Sequence, residues 1–192
     1  MGMPRVLKIS LFVLWPIIMF ILIIQITGKV CLSYYGFAVD KSNNIYLGKD
    51  KSIDVLNDKG EVINKIDPMT SRGYSFTITE NDEIIISTGD YWYRKDLSDN
   101  LIEKNVINDY RENPISTFSR YKYSAADGTE YVMKMHFFRT HIYKIINGEY
   151  ISVYKMPLFD FCVRILSVIT YLSFAVVVIV GIVIWNKKRK TI

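Results

Sequence analysis

Two histidines bracket the segment Phe137-Phe138-Arg139-Thr140. Imidazole pairs are side chains that bind metals or move protons near neutral pH. A separation of five puts His136 and His141 on opposite faces of a continuous strand. A turn at Arg139-Thr140 could bring them together. No third ligand lies in register, so two hairpin histidines are the expectation and no metal site is expected. The chain has no Gly-x-Ser-x-Gly elbow, P-loop, His-Glu-x-x-His motif or Cys-x-x-Cys pair. Acidic pairs such as Asp82-Glu83 sit among turn residues, where solvation explains them. The sequence therefore predicts no catalytic residue, no cofactor and no enzyme activity.

The richest recognition-type cluster is Tyr91-Trp92-Tyr93-Arg94. Tyr and Trp give large contact area at low entropic cost, and Arg stacks on either. A strand would place Tyr91 and Tyr93 on one face and Trp92 on the other, so one face packs in the core and the other is the candidate binding surface. The two cysteines, Cys31 and Cys162, are candidates for a disulfide, since each lies three residues from the end of an apolar run. Such a loop would lose about 4–5 kcal/mol of unfolded-state entropy in the chain model.

Those apolar runs are the elements that position everything else. Ile9 to Gly28 is 20 residues without a charge, and 13 of them are Ile, Leu, Val or Phe. A helix of that length spans roughly 30 Å, the hydrocarbon thickness of a bilayer. Pro16 should kink it rather than break it. No small-x-small cleavage site follows, so an uncleaved anchor is expected. Ile165 to Trp185 is a second charge-free run of 21 residues, with Trp185 placed for the interface.

Charge sets the orientation. All 19 acidic residues lie between Asp40 and Asp160. Arg5 and Lys8 precede the first run, and Lys187, Lys188, Arg189 and Lys190 follow the second. By the excess of basic residues inside, both termini are expected in the cytoplasm of a plasma-membrane protein. The middle is then close to neutral, so the net charge of +5 is no nucleic-acid footprint. The expected organisation is a cytoplasmic N-terminus (1–8), a first span (9–28), an extracytoplasmic β domain (29–160), a second span (161–185) and a basic cytoplasmic tail (186–192).

Within the middle, short β-type runs alternate with Gly, Asn and Asp turns. Phe37-Ala38-Val39-Asp40, Asn44-Ile45-Tyr46-Leu47 and Val55-Leu56-Asn57-Asp58-Lys59-Gly60-Glu61 make a first unit. A second unit follows, with Phe76 39 residues after Phe37. A third, looser one starts near Arg120 and ends on an Asn147-Gly148 hairpin. About 40 residues with several strands per unit is propeller-blade spacing. The first unit resembles a blade of the NHL or YVTN type of β-propeller. That resemblance implies four-stranded antiparallel units and a binding surface, with no chemistry attached. Three units are too few to close a ring. A β-sandwich or barrel, a partial propeller, or two chains completing a six-bladed ring each remain open.

The expected function is a non-enzymatic binding, sensory or accessory subunit acting through its outer domain. Its partners would be the lipid bilayer, another membrane protein and, in the shared-ring alternative, a second copy, with no nucleic acid. Only seven residues follow Trp185, too few for a cytoplasmic output domain. A protective envelope protein of the immunity type and a membrane-tethered enzyme are the alternatives. The absence of Asn-x-Ser/Thr and the abundance of Asn, Ile, Lys and Tyr suggest a bacterial chain.

Overall fold

The computed structural model describes residues 5–70, 73–107, 115, 121–125 and 127–189. They form two compact units, one holding both helices and one running from Cys31 to Pro157. In the helical unit, α1 (Arg5–Ile26) passes through Pro16, and α2 spans Leu158–Arg189. The two helices pack against each other. Both are long and apolar enough to cross a membrane, over Lys8–Ile26 and Leu158–Ile184. Lys190 lies outside the described residues.

The second unit is all antiparallel β. Its first sheet is β1 (Tyr34–Val39), β2 (Ile45–Lys49), β3 (Ile53–Leu56) and β4 (Val62–Ile66). The second sheet is β5 (Ser75–Ile78), β6 (Glu83–Ser87), β7 (Tyr91–Asp96) and β8 (Leu101–Val106). The third is β9 (Lys122–Ser124), β10 (Glu130–His136), β11 (Arg139–Ile146) and β12 (Glu149–Lys155). In each sheet the strands are paired in chain order. Among the described residues these are three four-stranded antiparallel meanders, consistent with blade-like units. The expected start of the third unit, Arg120, lies outside the described residues.

The turns explain the repeat. Asp40 Oδ1 accepts the N–H groups of Ser42 and Asn44, at 2.9 and 2.8 Å. Thr79 Oγ1 does the same for Asn81 and Glu83, Asn57 Oδ1 for Lys59 and Glu61, and Asp96 Oδ1 for Ser98 and Asn100. Three residues after each of these oxygens the backbone is left-handed, at Asn43, Asp82, Gly60 and Asp99. One short polar side chain thus satisfies two turn donors, and a residue that tolerates positive φ closes the loop.

The first sheet in sequence is the middle one in space. Its Phe37, Val39, Ile45, Leu47 and Leu56 pack on Tyr131, Met133, Ile142 and Tyr154 of the third sheet. Its opposite face, Ala38, Tyr46, Ile53, Val55 and Ile66, packs on Phe76, Ile84, Ile86 and Tyr93 of the second. Burial on both faces is why β1 to β3 read as continuous apolar runs rather than alternating ones. Polar contacts tie the layers. Tyr34 and Tyr154 hydroxyls are 2.9 Å apart, and Lys95 donates to Asp67 O and Asp99 Oδ1, both at 2.7 Å.

Candidate binding face

With its inner face on the first sheet, the third sheet has one face left over. Register decides what lies on it. Lys134 pairs with His141, His136 with Arg139, and Val132 with Tyr143. Across the next pairing, His141 faces Lys155, Tyr143 faces Ser152 and Ile145 faces Tyr150. Side chains of directly opposed residues share a face, so these residues line one surface.

The turn that creates this register is Phe137-Phe138, where φ is 45° and 66°. Arg139-Thr140, where a turn could have brought the histidines together, is not the turn: both residues belong to β11. The expectation that His136 and His141 lie on opposite faces falls with it, since a two-residue hairpin folds them onto one. Two consecutive left-handed residues are the signature of a type I′ turn, for which Asn-Gly is the preferred pair. The same sheet uses Asn147-Gly148 for its other hairpin, at φ of 51° and 82°. Placing two bulky L-residues there costs about 1–2 kcal/mol each.

Above the sheet the rings form a row. His136 and His141 lie edge to face at 5.8 Å, and His141 stacks on Tyr143 at 5.7 Å and 6°. Tyr143 meets Tyr150 edge-on at 5.9 Å. Lys134 Nζ sits 3.9 Å from the Tyr150 ring centroid, a close cation–π contact. Burial, with the positive charges of Lys155, Arg139 and His136 behind it, holds the His141 imidazole below its ordinary pKa. At neutral pH it is an uncharged ring with one donor and one acceptor nitrogen. The surface is therefore aromatic with a basic margin of Lys134, Arg139 and Lys155. It suits an acidic or planar polar partner and offers no activated nucleophile. Among the described residues no three His, Cys, Asp or Glu side chains group as metal ligands.

The Tyr91-Trp92-Tyr93-Arg94 segment is β7, and the alternation read from the sequence is realised there. Tyr93 is buried in the core beside Phe76 and Ile86, and Tyr91 next to it is 37% exposed. Lys104 lies over both rings, at 4.7 and 5.6 Å. Trp92 and Arg94 point to the opposite face, paired with Asn105 and Glu103. Arg94 is held by Glu103 at 2.9 Å and Glu83 at 3.6 Å. The four residues do not form one surface, and the guanidinium is already engaged. The sequence did not single out Tyr143, Tyr150, Lys134 or Lys155. A period-2 pattern on each side of the Phe-Phe pair was the signal, but it is readable only once the turn is placed.

Both cysteines are thiols in the structure. Cys31 is buried and donates to Ser33 O at 3.0 Å, and Cys162 is exposed. Of the expected anchoring residues, Arg5 and Lys8 fall within α1, and Trp185, Lys187, Lys188 and Arg189 within α2.

No protein-family model matches the chain, and no curated protein is similar to it at a significant level. Solved structures do match. One is a catalytically inactive virginiamycin B lyase from Staphylococcus aureus with quinupristin, at 14% identity and a TM-score of 0.34. That match covers 66% of this chain and 42% of the lyase, so the chain spans well under half of that protein. Another is a protein of unknown function from Bacteroides caccae, at 9% identity and a TM-score of 0.34, covering 67% of this chain and 62% of that one. Similarity at this level carries no argument about activity.

Proposed function

We propose that the chain is a two-span plasma-membrane protein, both termini in the cytoplasm, that holds a three-bladed β domain outside. In this reading it is a non-enzymatic accessory or sensory subunit. It engages an acidic surface of another membrane protein through the open face of its third sheet. The His136–His141–Tyr143–Tyr150 row with its Lys134 and Lys155 margin is the observation that carries the binding role.

Several features support the membrane reading. Large apolar side chains such as Phe12, Trp15, Leu172 and Ile182 are exposed along both helices. The core helix of a soluble protein would bury them, and a bilayer covers them instead. The basic residues flank the spans on one side, as orientation by charge requires. The repeated side-chain-capped turns support the likeness to NHL or YVTN blades.

A second copy completing a six-bladed ring is the weaker reading. Interfaces between blades inside the chain are apolar. The open face presents Lys134, His136, His141 and Lys155 instead, which suits a polar partner better than another blade.

The test is a photo-crosslinking residue at Tyr143 in native membranes. A captured second membrane protein, lost in Lys134→Glu/Lys155→Glu while the Trp92→Ala chain still captures it, supports the reading. A chain that captures nothing and runs alone in mild detergent refutes it. Capture of another copy of the same chain would favour the ring.

A further inference from the structure

The tip of the β10–β11 hairpin calls for an explanation that the open face does not supply. The three sheets make equivalent connections between their second and third strands. Each has two residues at the turn: Asp50-Lys51, Gly89-Asp90 and Phe137-Phe138. Two of these tips are polar, as loops in water usually are. The third exposes Phe137 at 93% and Phe138 at 47%, and Met135 beside them at 64%. Both phenylalanines are left-handed, in a turn type that the same sheet makes with Asn-Gly at its other end. A locally unfavourable choice that leaves the Phe137 ring almost wholly exposed points to something other than folding.

Connectivity says what lies beyond this tip. The β12 strand runs towards the same end of the sheet and stops at Lys155. Met156 is fully buried there, its N–H donating to Thr140 O at 2.8 Å and its carbonyl accepting Arg139 Nε at 2.9 Å. The tip residues lie two and three positions past Thr140 on the hairpin, or about 7–10 Å of strand. From Met156 only Pro157 precedes the first residue of α2, so the chain can travel at most about 7 Å before the helix starts. Arg139, Lys134, His136 and Lys155 stand just behind the rings, where anionic headgroup oxygens would be met.

Resting on the two-span reading above, we infer that Phe137-Phe138 is a membrane-contacting tip. It dips into the headgroup–acyl boundary of the outer leaflet and gives the third sheet a lipid contact of its own. Aromatic side chains are favoured at that depth. The tethered hairpin would fix the height of the ring-lined face above the membrane. The occupant is lipid, and the polar tips Asp50-Lys51 and Gly89-Asp90 carry no ring to insert.

The test uses the full chain, with Cys31→Ala and Cys162→Ala, in phosphatidylcholine–phosphatidylglycerol nanodiscs. Nitroxide labels are placed singly through Phe137→Cys, Lys51→Cys and Val178→Cys. Collision with oxygen, which concentrates in lipid, is compared with collision with an aqueous nickel chelate. The expected result is an oxygen-to-nickel ratio at 137 several-fold above that at 51 and approaching that at 178. A ratio at 137 equal to that at 51, with 178 in lipid, overturns the inference and leaves the spans standing. An aqueous reading at 178 removes the two-span reading and the tip with it. To avoid altering the cysteines, benzoylphenylalanine at position 137 in whole membranes should crosslink lipid. Capture of protein alone there would also overturn the inference.

Discussion

Gly60 is the residue whose replacement measures the packing of the third sheet on the first. Its φ is +77°, and a Cβ built there would lie 2.3 Å from the carbonyl oxygen of Val153 in β12. The oxygen belongs to backbone, so no rotamer change relieves the contact. The carbonyl must retreat by roughly 1 Å to reach an ordinary separation. Gly60→Ala therefore carries two penalties. Left-handed backbone for an L-residue costs about 1–2 kcal/mol. Overpacking a fitted interface costs about 1–3 kcal/mol. Reduced freedom of the unfolded chain returns about 0.4–1 kcal/mol. The net loss is about 2–4 kcal/mol. Gly148 supplies the control, because its φ is +82° and a Cβ there meets nothing within 4 Å. Gly148→Ala should lose only about 1 kcal/mol. The assay is a denaturant or thermal melt of the full chain in mild detergent, followed by near-ultraviolet circular dichroism. The Gly60 variant should melt about 10 °C below the wild type and well below the Gly148 variant. Equal losses in the two variants would refute the close seating of β12 against the β3–β4 turn.

Other outcomes follow from the same geometry. Lys95→Met removes an almost fully buried ammonium and both of its hydrogen bonds, and should cost about 2–3 kcal/mol in the same melt. The His141 ring protons should titrate below the ordinary histidine value of 6.5 in an NMR pH series, and Lys155→Gln should move that titration upward. Because the folded chain binds this proton less readily than the unfolded one, the contribution of His141 to stability is full above pH 6.5 and falls as the pH drops through and below that value. Phe137→Asn/Phe138→Gly should raise the melting temperature, since it installs the preferred type I′ pair where the backbone is already left-handed.

What was legible in the sequence was local. The turns at Asp40, Asn57 and Asp96 announce themselves because the side chain that caps the loop is the residue that names it, and the 39-residue interval between Phe37 and Phe76 repeats that device. The split of Tyr91 and Tyr93 from Trp92 followed from the strand period alone. The ring row was not legible for one reason. Its hairpin turns on Phe137-Phe138, which carries no turn chemistry, so the pairing of Lys134 with His141 could not be set from sequence. Nor was the stacking order legible. That the first sheet lies between the other two depends on clusters of residues far apart in the chain, one holding Val39 and Ile142 and the other Tyr46 and Ile84.

The stacking order in turn bears on why the described residues form three sheets. The middle sheet is apolar on both faces, so it can only exist between two neighbours. The outer sheets break that pattern strand by strand. In β7, buried Tyr93 and Lys95 alternate with Trp92 and Arg94, and in β10 and β11 buried Met133 and Ile142 alternate with Lys134 and His141. A further sheet stacked on either face would have to bury Arg94 with its two carboxylates, or Lys134 and Lys155, against apolar side chains, at a desolvation cost that its contacts would not recover. The same alternation that caps the stack leaves a surface of rings and cations exposed to a partner. Termination of the stack and exposure of the proposed binding face are therefore one property of the third sheet, and Lys134→Leu/Lys155→Leu should weaken partner capture while promoting self-association.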